Sequence, residues 1–201
     1  MTQALLLSGG MDSISLAWWY RPALALTIDY GQLAAPAEIE ASGAVCRHLG
    51  IPHEVITVDC RALGSGDMAG RPADAIAPAS DWWPFRNQLL ITLAGMRAVA
   101  RGCGGLLLGA VSTDGTHTDG TPPFVEAIGQ LLALQEGALT VEAPAIALTT
   151  AELVRRSKVP RPVLAWAHSC HRASVACGQC RGCNKYFEVW RELDDGSTAS
   201  S

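Results

Sequence analysis

The chain contains no apolar run of the roughly 20 residues that a helix needs to cross a bilayer. Only 17% of its residues are charged and 6% are aromatic, whereas 49% are hydrophobic, which excludes a disordered chain. Its first residues, Met1 to Gln3, lack the basic start of a secretory signal. We therefore expect a globular cytoplasmic protein, and its formal net charge of -4 provides no overall attraction to nucleic acids.

Two widespread phosphate-binding motifs are missing as well. The glycine-rich segment near the amino terminus has no Lys-Ser or Lys-Thr pair of the Walker type, and it does not fit the G-x-G-x-x-G dinucleotide fingerprint. It consists instead of an apolar run over residues 4–7, the sequence S-G-G-M-D-S over residues 8–13, and a second apolar run compatible with a helix. This order predicts a strand, a tight loop and a helix.

Such a loop is suited to hold a phosphate group. Gly9 and Gly10 allow the backbone to approach an anion closely, and the hydroxyl groups of Ser8 and Ser13 can donate hydrogen bonds to it. The following helix adds unpaired N–H groups and the positive end of its dipole. We therefore predict an anion site here, with an ordinary glycine-rich turn between strand and helix as the alternative.

Apolar runs suited to buried strands alternate with helix-like segments, which predicts an α/β fold with a parallel sheet. Strands are predicted at residues 3–8, 23–29, 53–59, 105–111 and 140–144, and helices at residues 13–20, 36–49, 87–101 and 123–137. In such sheets ligands bind beyond the carboxyl ends of the strands. We therefore expect Ser8, Asp29, Asp59 and residues 110–114 to line one crevice.

The length of 201 residues fits one domain, which we place at residues 1–193. Residues 194–201 are small and polar, so we expect a disordered tail there. Between Cys60 and Trp82 the chain has no clear period, which predicts either a mobile lid or a loop with functional contacts. The spacing of Thr149 and Glu152 predicts a capping box at the start of a further helix.

Four of the seven cysteines lie in one short segment, residues 168–187. The C-x-x-C-x-x-C spacing of Cys177, Cys180 and Cys183 places three sulfurs around one ion, and Cys170 can supply the fourth. Four thiolates leave no open position on a metal, so we predict a structural zinc site, with an iron–sulfur cluster as the competing interpretation. Disulfides are poorly suited to cysteines this close together in a cytosolic protein.

Two further groups of residues in the C-terminal part have weaker implications. His168 and His171 flank Cys170, and we predict that they are neighbours of the metal site rather than ligands. The basic residues between Arg155 and Arg181 could contact the phosphates of a nucleic acid. Such a run more often forms a solvated face, so it contributes little to the functional prediction.

Together these motifs resemble a known enzyme family. The segment at residues 8–13 resembles the S-G-G-x-D-S pyrophosphate loop of the ATP pyrophosphatase, or PP-loop, superfamily. Three further motifs and the four-cysteine segment extend the resemblance to the 7-cyano-7-deazaguanine synthases. These motifs are D-Y-G-Q at residues 29–32, P-F-R-N at residues 84–87 and G-A-V at residues 109–111. The match runs in order from about Leu5 to about Phe187.

The resemblance implies a Rossmann-like parallel sheet with helices on both faces, of the adenine nucleotide alpha hydrolase-like type, with a C-terminal zinc-binding segment. It also implies an ATP-dependent carbon–nitrogen ligase that activates the carboxylate of 7-carboxy-7-deazaguanine as an adenylate. Ammonia then converts the acid through an amide to the nitrile, in queuosine precursor biosynthesis. The implied cosubstrate is ATP, the implied cofactors are Mg²⁺ and structural Zn²⁺, and the implied assembly is a homodimer.

The resemblance also assigns roles to individual residues. It assigns nucleotide binding to Ser8, Gly9, Gly10, Asp12, Ser13 and Asp29, and substrate binding to Tyr30, Gln32, Phe85, Arg86 and Asp119. It implies three catalytic residues, Asp12, Arg86 and Asn87. We expect Asp12 to hold Mg²⁺ or to shape the loop, without direct contact to phosphate.

Arg86 and Asp119 each have an alternative role. The permanently charged guanidinium of Arg86 can bind phosphate or the substrate carboxylate, with Asn87 beside it. The alternative for Arg86 is an ordinary surface residue at the start of a helix. The carboxylate of Asp119 can accept hydrogen bonds from the N–H edge of a deazaguanine, or it can form a turn.

The chain departs from the family pattern at three places. The family's Asp-Cys-Arg-Pro-Glu-Phe is Asp-Gly-Thr-Pro-Pro-Phe at residues 119–124, so an arginine is missing. The Arg-His that follows D-Y-G-Q is Leu33-Ala34, and the lysine of Leu-x-Lys-Ala-Glu is Thr150. Lys158 could reach in from the next turn, although a solvent-exposed lysine is the simpler interpretation.

These departures leave three alternative functions open. A diverged member could adenylate a related heterocyclic carboxylate and transfer it to another amine, such as a peptide or protein terminus. A PP-loop enzyme that modifies tRNA is the second alternative, although the acidic net charge makes a nucleic-acid partner the weaker prediction. The third is a scaffold that has lost its activity.

Overall fold

Five strands form a parallel sheet in the computed structural model, which describes the backbone of residues 1–198 and the side chains of residues 1–195. The strands are β1 Gln3–Leu6, β2 Leu24–Asp29, β3 His53–Thr57, β4 Gly105–Leu107 and β5 Thr140–Glu142. Their order in the sheet is β3-β2-β1-β4-β5. The predicted Rossmann-like fold class is confirmed, and each of the five predicted strands is present in a shorter form.

Helices cover the sheet in the order α1 Met11–Tyr20, α2 Ala35–Leu49, α3 Gly66–Ala69, α4 Arg86–Ala100, α5 Pro122–Ala133, α6 Thr150–Ser157, α7 Arg161–Leu164 and α8 Arg181–Thr198. Three short 3₁₀ turns lie at residues 61–63, 112–114 and 118–120. The predicted capping box is confirmed at the start of α6, where Thr149 Oγ1 accepts from the Glu152 N–H group. Within the described residues no helix is both long and apolar enough to cross a membrane.

The central strand β1 is buried on both faces of the sheet, which explains why its sequence is an uninterrupted apolar run. Leu5 and the following Leu7 pack into a core formed with α1, α2, α6, α7 and α8. Ala4 points to the opposite face and packs into a second core with α4 and α5. Helices therefore cover both faces of the sheet, and β1 is held between the two cores.

A topological switch lies at the end of β1. The strand β2 pairs with one side of β1, and β4 pairs with the other side. The connections that follow β1 and β4 therefore leave in opposite directions, and a crevice opens between them at the carboxyl ends of the strands. The S-G-G-M-D-S loop and the segment at residues 108–114 lie at this point.

Two features of the C-terminal part differ from the sequence-based expectation. The helix α8 was not predicted, although Tyr186, Val189, Trp190 and Leu193 repeat at helical spacing and pack on the core beside α1. The expected tail from Asp194 is helical as far as Thr198, and residues 199–201 lie outside the described part of the chain. The metal-ligand spacing accounted for residues 170–183, so the start of this helix at Arg181 was assigned to the cysteine segment.

Candidate active site

A cavity of about 730 Å³ opens at the carboxyl ends of β1 and β4. This volume lies within the range of small-molecule binding sites. Ser8 and residues 110, 113 and 114 line the cavity, which confirms that the ends of β1 and β4 converge. Asp59 does not line it, because the edge strand β3 is two strands away from the switch point. The Asp59 carboxylate instead forms an exposed ion pair with Arg61 at 2.8 Å.

The S-G-G-M-D-S loop has the conformation of an anion cradle. Gly9 has a φ of +74°, and a Cβ atom there would lie 2.7 Å from the carbonyl oxygen of Glu38, so a side chain is excluded. Gly10 is the N-cap residue of α1 and has no side chain that could cap the helix. The N–H groups of the first turn are therefore left for a ligand. Ser8 Oγ and Ser13 Oγ lie 3.3 Å apart and both residues line the cavity.

A lysine joins the first turn of α1 to the segment after β4. Lys185 Nζ lies 3.0 Å from Asp12 Oδ2 and 2.9 Å from Asp114 Oδ1. Burial disfavours the ammonium form, but the two carboxylates outweigh burial and raise the pKa of Lys185. Among the described residues the buried Oδ1 atom of Asp12 has no hydrogen bond of normal length, although the Thr150 hydroxyl is close enough to oppose the rise that burial causes in the pKa of Asp12. Asp12 therefore keeps one oxygen atom for a ligand.

Arg86 lines the opposite wall of the cavity as the first residue of α4. Its Nη1 atom lies 3.0 Å from the sulfur of Met68, and its Nε atom donates to Asn87 Oδ1 at 3.4 Å. These uncharged acceptors leave the positive charge of the guanidinium available to an anion. The cavity position supports a binding role for Arg86 over that of an ordinary surface residue.

Asp119 and Asn87 tie the residue 118–120 turn to the start of α4. Asp119 Oδ2 accepts from the Asn87 backbone N–H at 3.1 Å, and the Asp119 carbonyl oxygen accepts from Asn87 Nδ2 at 2.9 Å. Asp119 therefore caps α4, and both residues also line the cavity.

The D-Y-G-Q segment reaches the cavity through Tyr30 only. Gln32 is buried behind the wall, where its Nε2 atom donates to the Ile28 carbonyl oxygen at 3.1 Å and to Glu38 Oε2 at 2.7 Å. Asp29 Oδ1 accepts from the N–H group of Gly31 at 3.0 Å. Gln32 and Asp29 thus shape the turn and lie outside the cavity lining. They hold Tyr30 in place.

Phe85 also lies outside the cavity lining. Its φ of +55° turns the chain at the residue before α4, and 76% of its surface is exposed. Its neighbour Trp83 is buried instead and packs edge-on against Tyr30, with 4.9 Å between the ring centroids. The aromatic wall that supports Tyr30 is therefore formed by Trp83.

Glu38 is a cavity residue that the motifs did not indicate. Burial raises the pKa of its carboxyl group to about 7, and both the hydrogen bond from Gln32 and the charge of Arg86 oppose this rise. The signal in the sequence was an acidic residue one turn into the helix after D-Y-G-Q.

The four cysteines of the C-terminal segment form one cluster. The sulfur atoms of Cys170, Cys177, Cys180 and Cys183 all lie within 4.8 Å of one another. A tetrahedral zinc site with Zn–S bonds of ~2.3 Å requires sulfur separations of ~3.8 Å, close to the 3.9 and 4.0 Å of two of the pairs. An iron–sulfur cube binds its thiolates to different irons and spreads them more widely. The cluster therefore fits a single zinc ion.

Backbone N–H groups donate to the sulfurs of Cys177 and Cys180, whereas burial raises the pKa of Cys183. The N–H group of Cys180 donates to the sulfur of Cys177, and the N–H group of Cys183 donates to the sulfur of Cys180. Backbone hydrogen bonds from Gln179 and Cys180 lower the pKa of Cys177 to about 6. Gly182 permits the compact fold, because a Cβ atom there would lie 1.8 Å from the Ser169 carbonyl oxygen.

A buried aspartate connects the cluster to the cavity. Asp81 lies 2.8 Å from Arg181 Nη1 and 3.3 Å from both His117 Nε2 and His171 Nδ1. His168 Nε2 bonds the Ala173 carbonyl oxygen, and His171 contacts the cluster through its backbone N–H, which donates to Cys180 Sγ at 3.4 Å. Met68 and Asp81 bring the residue 60–82 loop to the cavity wall, which supports the prediction that this loop makes functional contacts.

Comparisons with known proteins identify the family. Residues 2–193 match the sequence model of one family, described as queuosine biosynthesis protein QueC. The chain belongs to this family. A 7-cyano-7-deazaguanine synthase from Desulforudis audaxviator is 35% identical over 92% of this chain and 94% of its own length. A second, from Methanosarcina barkeri, is 31% identical over 91% of this chain and 90% of its own length.

One solved structure supports the fold of this QueC-family chain. The NMN synthetase from Francisella tularensis superposes with a TM-score of 0.52 at 18% sequence identity. The match covers 100% of this chain and 78% of the synthetase chain. At this identity the likeness concerns the fold alone, and it agrees with the parallel sheet described above.

The lysine that lines the cavity of this QueC-family chain is not the one that the sequence suggested. Lys158 ends α6 with its side chain exposed and does not line the cavity. Thr150 lines the cavity, and its buried Oγ1 atom has no hydrogen-bond partner among the described residues. The cavity lysine is Lys185, which comes from the cysteine segment. Its position two residues after Cys183 was the available signal.

The raised pKa of Glu38 predicts that the difference in stability between Glu38→Gln and wild type depends on pH. Because folding raises its pKa from 4.5 to about 7, its contribution is full below pH 4.5 and is lost as the pH rises through 7. Glu38→Gln cannot ionise. We expect its free energy of unfolding relative to wild type to increase by about 1 to 3 kcal/mol between pH 5 and pH 8, measured by denaturant titration.

Glu40→Gln is the matched control, because Glu40 is exposed on the same helix. Its difference from wild type should not change over this pH range. A constant difference for Glu38→Gln as well would show that Glu38 is ionised in the folded protein throughout.

Cys180→Ser tests the metal cluster. Loss of one of four thiolates should lower bound zinc about tenfold or more and reduce the thermal midpoint at the same time, because metal binding folds this segment. Metal content is measured by atomic emission and the midpoint by calorimetry. Cys60→Ser, outside the cluster, should retain its zinc. Iron and sulfide in the purified wild-type protein would contradict the zinc assignment.

Proposed function

We propose that this chain is a 7-cyano-7-deazaguanine synthase that uses ATP to activate the carboxylate of 7-carboxy-7-deazaguanine and ammonia to convert it to the nitrile. One observation carries the proposal. A phosphate loop of the S-G-G-x-D-S type and a cavity-facing arginine, Arg86, border one cavity in a chain of the QueC family. Relatives that match over most of their length bear the synthase name.

The phosphate loop stabilises the leaving group. When a carboxylate attacks the α-phosphorus of ATP, negative charge develops on the phosphoryl oxygens and on the departing pyrophosphate. The N–H groups of the first turn of α1 and the hydroxyl group of Ser8 provide donors for these oxygens. The hydroxyl group of Ser13 donates to the Gly10 carbonyl oxygen at 3.0 Å and joins them by rotating. Because the N–H groups are fixed by Gly9 and Gly10, they need little reorganisation during the reaction.

Asp12 is the proposed ligand for Mg²⁺. Its Oδ1 atom is buried at the loop and lacks a hydrogen-bond partner among the described residues, which fits a hard cation that prefers oxygen ligands. Magnesium ions bound to ATP neutralise charge on the phosphates. Asp12 would thus orient the phosphate groups of ATP through Mg²⁺ and would not itself contact phosphate.

The part of the cavity near α4 is the proposed binding site of the deazaguanine acid. Arg86 is placed to bind the carboxylate of the acid or the α-phosphate, and Tyr30 offers an apolar ring face for the heterocycle. Asp119 lies beside Asn87 and can accept from the N–H edge of the deazaguanine. Asn87 positions Asp119 through the two hydrogen bonds between them.

The oxygen balance of the reaction requires two activations. A carboxylate has two oxygens and a nitrile has none, so each oxygen must leave with an AMP. In the first activation ammonia displaces AMP from the acyl adenylate and gives the amide. In the second the amide oxygen attacks the α-phosphorus of ATP and expels pyrophosphate, and loss of AMP and of both protons on nitrogen gives the nitrile. The same loop can serve both activations, since both expel pyrophosphate.

The zinc site is proposed to be structural. Four thiolates fill a tetrahedral zinc, so the ion has no position for substrate. When bound, zinc supplies rigidity to residues 170–183. Through Arg181, which begins α8, this segment is joined to the cavity residue Asp81 at 2.8 Å.

The basic run between Arg155 and Arg181 does not favour a tRNA partner. Arg155 pairs with Glu192, Arg161 with Asp194, and Arg172 with Asp67. Arg181 pairs with Asp81. These pairs involve four of the six lysine and arginine residues in the run, all except Arg156 and Lys158, and they reduce the charge available to an RNA backbone.

Asp12→Asn tests the proposed reaction. The loss of the anionic ligand should lower AMP release about 100-fold or more without changing bound zinc. The assay combines ATP, Mg²⁺, ammonia and 7-carboxy-7-deazaguanine labelled with ¹⁸O in its carboxylate, and mass spectrometry follows the products. Wild-type protein should give the nitrile, and each AMP should carry one label.

Asp74→Asn is the control, because Asp74 is exposed outside the cavity lining. It should retain wild-type activity. Unlabelled AMP would contradict adenylation of the acid. AMP release without nitrile, coupled instead to modification of an added peptide amine, would favour a diverged transferase over the proposed synthase.

A further inference from the structure

We propose that Lys185 is the cation that binds the phosphates of the nucleotide at the S-G-G-M-D-S loop, and that the cysteine segment delivers it there. This inference rests on the proposed function, since it assumes that the loop holds pyrophosphate. The sequence contains two lysines, Lys158 and Lys185, and only Lys185 lines the cavity.

The ammonium group lies between the two strand ends that form the crevice. Its nitrogen is 3.0 Å from Asp12 Oδ2, in the first turn of α1, and 2.9 Å from Asp114 Oδ1, after β4. An ammonium has three N–H donors, and these two bonds use two of them. The third donor remains for a ligand in the cavity that Lys185 lines.

The positive charge of Lys185 offsets the two carboxylates that it contacts beside the loop. Asp12 and Asp114 place two carboxylates beside the loop, and without a cation they would repel the phosphates of ATP. Lys185 reduces this negative charge and adds a compact point charge of the kind that commonly binds phosphate. The side chain of Lys185 is 35% exposed, so it is open to a ligand while remaining fixed.

The two arginines that line the cavity, Arg86 and Arg181, lie away from the S-G-G-M-D-S loop. Arg86 contacts Met68 and Asn87 on the opposite wall. Arg181 is held by Asp81 at 2.8 Å and by Thr116 at 2.9 Å. Among the described residues, neither arginine forms a hydrogen bond or ion pair with residues 8–13. Lys185 is therefore the cation of the phosphate end of the cavity.

The metal cluster determines where Lys185 stands. The helix α8 begins at Arg181, between Cys180 and Cys183, and Lys185 follows within its first turns. The absence of a Cβ at Gly182 lets this helix start pack directly against the Ser169 backbone. The segment that binds the metal thus also fixes a charged side chain against α1.

A structural tie is the competing role. Lys185 joins α8 to α1 and to the residue 112–114 turn, and an ion pair of this kind could serve stability alone. A phosphate-binding role predicts a loss of affinity for an anion, whereas a structural tie predicts a loss of folding stability with unchanged affinity.

Lys185→Met keeps the length of the side chain and removes its charge. We expect its Kd for inorganic pyrophosphate with Mg²⁺, measured by calorimetry, to rise about tenfold or more. The KM for ATP should rise while the KM for the acid stays close to wild type. Lys185→Arg should recover much of the pyrophosphate affinity because it restores the charge.

Lys158→Asn is the matched control, because Lys158 is exposed, and asparagine tolerates its left-handed backbone with φ of +55°. It should bind pyrophosphate like wild type. Unchanged pyrophosphate affinity in Lys185→Met, with or without a lower thermal midpoint, would overturn the inference. If Lys185→Met is too unstable to measure, Lys185→Arg and Lys185→Gln replace it, and equal affinity of these two would also overturn it.

The two proposals can fail separately. Wild-type protein that binds pyrophosphate but releases no AMP with 7-carboxy-7-deazaguanine would refute the proposed substrate, and the Lys185 comparison would still decide its role. Wild-type protein that makes the nitrile, with Lys185→Met equally active and equally tight for pyrophosphate, would refute the role of Lys185 alone. Wild-type protein that does not bind pyrophosphate would overturn both.

Discussion

The close approach of the S-G-G-M-D-S loop to the start of α2 is the constraint on which the site depends. Gly9 lies against the backbone of Glu38, where a Cβ atom would be only 2.7 Å from a carbonyl oxygen. This contact fixes the direction in which α1 leaves β1, so that its first turn faces the crevice. An unpaired helix end at the switch point of a parallel sheet is a ready site for an anion.

Three parts of the chain that are distant in sequence complete this crevice. The loop after β1 supplies donors, the start of α4 supplies Arg86, and the start of α8 supplies Lys185. The cysteine cluster belongs to this arrangement because α8 begins between Cys180 and Cys183. The four-cysteine cluster and the crevice are thus coupled by the geometry of one helix start.

The charges in the crevice are balanced locally. Lys185 is flanked by Asp12 and Asp114, and Asp81 is surrounded by Arg181 and two histidines. Arg86 and Glu38 differ from these groups, since Arg86 has no carboxylate partner among the described residues and burial raises the pKa of Glu38. A ligand can therefore meet the guanidinium of Arg86 directly, and it can meet Lys185 through the one N–H donor that the two carboxylates leave unused.

The sequence by itself determined the alternation of strands and helices, the tight S-G-G-M-D-S loop and the four-cysteine cluster, because each depends on neighbouring residues and their spacing. It could not place Lys185, Glu38 or Asp81 in the site, and it could not show that Gln32, Asp29 and Phe85 lie outside the cavity lining. Those positions depend on how α8, α2 and the residue 60–82 loop pack on the sheet. Only the tertiary structure decides such contacts, since no local spacing specifies which distant side chains meet.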